Sequence, residues 1–158
     1  MPALTPDPFA ASIRDLLRDR PIGQVAAQAG VDPSVVSRLS HAAELPAWDP
    51  PRRLAVALGG RISIQPAAST TPTLDASALI AALRMAAHQW STRHHRPVCD
   101  LGPIAGVAIG TAREWLAMDR PAARVEGVVA PVIAVLGATG HGVVIQPSAA
   151  ATARKDGG

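Results

Sequence analysis

"VAAQAGVDPSVVSRLS", residues 25–40, holds a run of small residues, a glycine, an acid–proline pair and a second stretch of apolar period. "IGQVAAQAG", residues 22–30, reads as a short helix whose small side chains allow a neighbour to approach closely, with Gly30 suited to the left-handed position that ends it. Asp32 can then cap a new helix, with Pro33 at its first position, where the missing N–H costs nothing. From Pro33 onwards the positions able to face inwards are Val36 and Leu39, which leaves Pro33, Ser34, Val35 and Ser37 on the outer, N-terminal side. The spacing predicts two helices meeting at a steep angle, the second over 33–41.

A chain of 158 residues with 48% apolar content has enough material for one ordinary domain or two very small ones, and argues for a folded core. One Phe, three Trp and no Tyr leave the core to Ala, Leu, Val and Ile, which suits closely packed helices. The single cysteine, Cys99, has no disulfide partner, and no basic segment followed by an apolar one opens the chain. "GVVAPVIAVLG", residues 127–137, is too short to span a bilayer and contains Pro131. The expectation is a cytoplasmic protein with no membrane association. The isoelectric point near 10.4 overstates the basic character, because the net charge is only +3 and 14 of the 15 basic residues are Arg. That balance permits nucleic-acid binding without requiring it.

The chain repeats itself. "PIGQVAAQAGVDPSVVSRL" (21–39) aligns without a gap on "PVCDLGPIAGVAIGTAREW" (97–115), and "VALGGRISIQP" (56–66) is echoed by "AVLGATGHGVVIQP" (134–147). In the second pair each member reads as a helix end, a Leu-Gly stop and a short β-branched run closed by Ile-Gln-Pro. Each copy opens on an amphipathic helix. Phe9, Ile13, Leu16 and Leu17 share a face in the first, and Ile80, Leu83, Ala87 and Trp90 do so in the second, after Asp75 as N-cap. The predicted organisation is a first unit at 8–66, a linker at 67–73, a second and divergent unit at 74–147, and a disordered tail at 148–158. The two β-runs, too short to stand alone, can pair with each other and bring the copies together about a pseudo-two-fold axis, or pair across a dimer.

At these residues the sequence resembles the Cro/C1 (XRE) helix-turn-helix family. The likeness runs through "VAAQAGVDPSVVSRL", then "SHAAELPAW", then "DPPRRLAVALGG", where that family has its last helix, and so covers residues 8–60. The resemblance implies a mainly α fold, here as two lambda-repressor-like bundles each followed by a short strand, with five helices in the DNA-binding domain. It places Pro33, Ser34, Val35 and Ser37 at base edges in the major groove, with Val35 against a thymine methyl. Arg38, His41, Arg52 and Arg53 would then meet or neutralise phosphates, and Gln24 is counted with the DNA-facing residues. Pro21 and Ile22 replace the polar cap and glutamine that usually open the family's second helix. In the second copy Ile109, Thr111 and Arg113 occupy the corresponding outer positions, while Ala108 stands in for the capping Asp and Glu114 for Arg38.

The function expected is sequence-specific binding of double-stranded DNA in transcriptional regulation, with no cofactor and no enzymatic activity, by a homodimer or by one chain acting as its own pseudo-dimer. The alternative is an adaptor or antitoxin-like protein whose second copy serves for dimerisation or docking. His88, His94, His95 and Cys99 lie close in sequence but lack the paired ligand spacing of structural zinc. Cys99 beside Asp100 has no accompanying oxyanion or substrate motif, and "GATGHG" (137–142) follows a helix where a phosphate loop must follow a strand.

Overall fold

A computed structural model of the chain describes residues 8–66 and 75–147; the predicted linker at 67–73 and tail at 148–158 lie outside them. Apolar residues at helical spacing form α1 (Pro8–Leu17), which buries Phe9, Ala10, Ile13 and Leu17. There follow α2 (Ile22–Ala29), α3 (Pro33–His41), a 3-10 turn at Pro46–Trp48, α4 (Asp49–Ala57) and strand β1 (Gly60–Pro66). The second half repeats the order with α5 (Ala76–His94), a 3-10 turn at Val98–Asp100, α6 (Leu101–Ala105), α7 (Ile109–Leu116), α8 (Ala123–Ala138) and β2 (His141–Pro147). The fold is mainly α with one small antiparallel sheet. The first half has four α-helices and a 3-10 turn, one α-helix fewer than the family resemblance implies.

The repeat is legible in backbone geometry. Gly30 ends α2 at φ 70°, ψ 31°, and Gly106 ends α6 at φ 73°, ψ 30°, a left-handed conformation that costs a Cβ-bearing residue dearly. In each turn the next N–H reaches back to the helix, Val31 to the Ala26 carbonyl at 3.1 Å and Val107 to the Gly102 carbonyl at 2.7 Å. The Leu-Gly stop read at 136–137 is not used. Helix α8 runs through Gly137 to Ala138, and Thr139 ends it by donating its hydroxyl to the Leu136 carbonyl at 2.8 Å, ahead of a turn at Gly140.

Strands β1 and β2 pair along their whole length, from Gly60 opposite Pro147 to Pro66 opposite His141. At the centre Ser63 faces Val144, and each stands two residues before the Gln of its own Ile-Gln-Pro. A pseudo-two-fold axis therefore passes between them. Alternation sends Ile62 and Ile64, with their partners Ile145 and Val143, to one face of the sheet, where Ile62 and Val143 are buried.

The helices obey the same symmetry by exchange. Helix α4 of the first half packs on α6 and α7 of the second, while α8 of the second packs on α2 and α3 of the first. One hydrophobic core results, with Ile13, Val36, Trp48 and Leu54 from the first half and Leu83, Leu101, Val129 and Leu136 from the second.

Symmetry fails at one informative pair. Arg14 and Arg84 each follow an inward aliphatic residue, Ile13 or Leu83, and precede the next buried position by three. Arg84 is 8% exposed and donates to the carbonyls of Trp115 at 3.0 Å, Arg120 at 2.9 Å and Glu114 at 3.2 Å, clamping the end of α7. The buried Nε of Arg14 has no acceptor among the described residues.

Two consequences can be measured by chemical denaturation. A Cβ at Gly60 would lie 2.7 Å from the Gln146 carbonyl oxygen, so Gly60→Ala should destabilise the protein by about 1–3 kcal/mol, whereas Gly23→Ala, helical and in open space, should stabilise it by about 0.5–1 kcal/mol. Arg84→Met should cost about 3 kcal/mol by stripping three carbonyls of their donor, and Arg14→Met should be close to neutral.

Candidate nucleic-acid interface

Helix α3 is held by its cap and by two inward side chains. Asp32 is extended at φ −66°, ψ 138°, and its Oδ1 accepts the Ser34 N–H at 3.0 Å. That bond from the Ser34 backbone, joined by the Ser34 side chain, holds the Asp32 carboxyl below its ordinary pKa against the opposing effect of desolvation, with the nearby Arg38 charge acting in the same direction as the serine. Val36 and Leu39 are buried in the core, as their spacing predicts. Pro33, Ser34, Arg38 and His41 are exposed and Ser37 is half-buried. His41 turns back on its own helix, with Nδ1 2.9 Å from the Ser37 carbonyl oxygen and 3.1 Å from the Ser40 hydroxyl.

Val35 departs from the outward position expected of it. It is half-buried and packs against the core on the flank of α3 that faces α8, because that helix approaches from the other half. Gln24 is exposed on α2. Arg52 and Arg53 lie on α4 and line a different groove, of about 400 Å3, together with Phe9, Arg61 and Ile104. There Arg53 is engaged twice, by Asp49 at 2.7 Å and by the Gly106 carbonyl at 3.1 Å, and Arg52 stands 3.8 Å from Asp49. The structure thus gathers Ser34, Ser37, Arg38 and His41 on one helix and sets the two α4 arginines at the junction with α6.

In the second half α7 begins without a side-chain cap at Ala108. Ile109 and Arg113 are exposed, Thr111 is half-buried, and Glu114 is 3.6 Å from Arg124. Ile104, Ile109 and Met118 leave this surface more apolar, each at least half exposed. Trp90 is half-buried against the core, with the His94 ring 5.1 Å away and the Arg96 guanidinium 5.5 Å from its centroid. Among the described residues no three His, Cys, Asp or Glu side chains converge as a metal site would require, and no helix is long and apolar enough to cross a membrane.

One feature beside α3 escaped the sequence reading. A polar cleft of about 440 Å3 adjoins its C-terminal end, lined by Arg14, Arg18, Arg20, Ser40 and His41 with Asp15. Arg18 is tied to Asp15 at 2.8 Å and Arg20 to the Leu16 carbonyl at 2.9 Å. These arginines come from α1 and the segment after it, so only the packing of α1 on α3 makes them neighbours of His41. No family model, curated protein or solved structure matches this chain.

Because the Asp32 carboxyl is held below its ordinary pKa, its contribution to stability is present at neutral pH and lost as pH falls through the folded-state value. Asp32→Ala should therefore be less stable than the parent at neutral pH, and the gap should close below the ordinary carboxylate range, as read from denaturation midpoints on a pH series.

Proposed function

We propose that this protein binds double-stranded DNA sequence-specifically as a transcriptional regulator, with α3 entering the major groove. The observation that carries the reading is the division of α3: Val36 and Leu39 are sealed in the core while Ser34, Arg38 and His41 stand in solvent behind a capped, glycine-closed turn. A helix so supported can enter a groove about 12 Å wide without unfolding anything else. Ser34 and Ser37 offer hydrogen bonds to base edges, and Arg38 offers charge to a base or a phosphate.

Arg14, Arg18 and Arg20 add a basic margin beside the same helix, suited to the phosphate backbone, with Asp15 a partial counterweight. Arg53, already bonded to Asp49 and Gly106, is better suited to holding the two halves together than to reaching DNA. The likeness to Cro/C1 proteins at residues 8–60 supports the same reading. We further propose that no cofactor is needed and that the chemistry is binding and not catalysis.

The second half suits protein docking better. Its α7 carries Glu114, whose carboxylate repels phosphate, and its surface exposes Ile104, Ile109 and Met118. On this reading α3 supplies the specificity, and the second half recruits a partner or a second copy of the chain.

Selection of bound sequences from a random duplex pool, followed by mobility shifts, tests the proposal. Ser34→Glu with Ser37→Glu should weaken binding to the selected site at least about tenfold, and affinity should fall steeply with added salt. Unaltered affinity in the double variant, with normal folding, would remove α3 from the interface.

A further inference from the structure

The groove of about 400 Å3 where α1, α4 and β1 meet α6 is lined by two aliphatic side chains left in solvent, although they come from different halves of the chain. Val56 of α4 is 65% exposed and Ile104 of α6 is 50% exposed. Phe9 and Ile62, both part of the core, line the same groove. Its volume falls within the roughly 300–1,000 Å3 occupied by small-molecule sites, which are mostly apolar with a few placed polar groups.

Here the charged groups are all of one sign. Arg52, Arg53 and Arg61 line the groove, and among the described residues no acid does. Asp49 answers Arg53 at 2.7 Å and stands 3.8 Å from Arg52, whereas no carboxylate among the described residues lies within ion-pair distance of the exposed Arg61. A guanidinium beside an apolar wall selects a hydrocarbon body with an anionic head. Its fork of N–H donors matches the two oxygens of a carboxylate, while the hydrocarbon takes the aliphatic side chains out of water. An inorganic anion would leave Val56 and Ile104 wet, and a neutral hydrocarbon would forgo the charge.

The charge is not part of the repeat. Across the pseudo-two-fold axis Ser63 corresponds to Val144, Gly59 at φ 86° to Gly140 at φ 80°, and the buried Pro51, Leu54 and Ala55 of α4 to the buried Val132, Val135 and Leu136 of α8. On that correspondence Ile133, Ala134 and Gly142 stand where Arg52, Arg53 and Arg61 do. The packing of these elements therefore does not by itself call for arginine, and the basic lining belongs to one side of the molecule alone.

We propose that this groove binds a small hydrocarbon monocarboxylate, with its carboxylate on Arg61 and its chain against Val56 and Ile104. The site does not depend on the DNA-binding reading. A guest there touches α4 and β1 of the first half and α6 of the second, so it binds the two halves as they are folded together and stabilises that arrangement by mass action.

The full chain, with its Ile and Val methyl groups labelled with 13C, is titrated with hexanoate, with octanoate and with 1-octanol, which has the octanoate chain length and no charge. Octanoate should shift the methyl resonances of Val56 and Ile104 saturably while leaving those of Val128, on α8 and 43% exposed, in place. It should bind at least about fivefold more tightly than octanol, and about tenfold more tightly than hexanoate, since each buried methylene is worth up to about fourfold. Arg61→Gln should bring octanoate down to the affinity of octanol, and Ile104→Asp should abolish the binding of both; each replaces an exposed side chain, so the fold is kept. Equal affinity for octanoate and octanol, affinity independent of chain length, octanoate binding undiminished in Arg61→Gln, or equal movement of the Val128 methyls would overturn the site. So would the absence of any saturable shift, the result expected if a segment of the chain or a second copy of it fills the groove.

Discussion

The antiparallel pairing of β1 with β2, centred on Ser63 opposite Val144, is the constraint from which the rest of the architecture follows. Two strands alone are marginal in water, so the face bearing Ile62, Ile64, Val143 and Ile145 needs a core beneath it. Neither half provides that core unaided, because α4 packs on the α6 and α7 of the other half and α8 packs on α2 and α3. The halves are therefore bound by the sheet and by reciprocal helix exchange, in the manner of a two-fold dimer whose protomers share one chain. This explains why Gly60 admits no side chain: the backbone of β2 lies against it at the end of the pairing.

Joining two copies in one chain releases each from having to match the other. The turn that orients the second helix of the pair has been kept almost to the degree at Gly30 and Gly106, since its left-handed backbone is a steric requirement. The groups around it have diverged. Asp32 caps α3 while Ala108 offers α7 nothing, Arg38 faces solvent where Glu114 is drawn to Arg124, and Arg84 clamps a helix end where Arg14 does not. Divergence of this kind fits the proposed division of labour, with one half reading DNA and the other presenting an apolar surface to a partner.

Local rules made much of this readable in advance. The start of α3 at Pro33 and the face it buries follow from a capping acid, a proline and two inward aliphatics, all encoded within nine consecutive residues or beside them. The recurrence of Ile-Gln-Pro marked both strands and allowed their pairing to be foreseen as one of two arrangements. What misled was the environment of side chains whose neighbours arrive from far along the chain. Val35 has the spacing of an outward residue, but α8 comes up against its flank; Arg53 has the look of a free surface cation, but the Gly106 carbonyl lies within its reach.

By itself the sequence determined the capped glycine turn at Gly30, the helix that follows it, the strand pattern and the two-fold repetition, because these depend on backbone sterics, capping and periodicity within short windows, whereas the Leu-Gly pair at 136–137 did not end α8. Tertiary structure alone decided which half each helix would cover and which arginines would gather beside α3. Those outcomes depend on contacts between residues tens of positions apart, which no short window of sequence contains, and the β1–β2 register fixes the axis that relates the two halves.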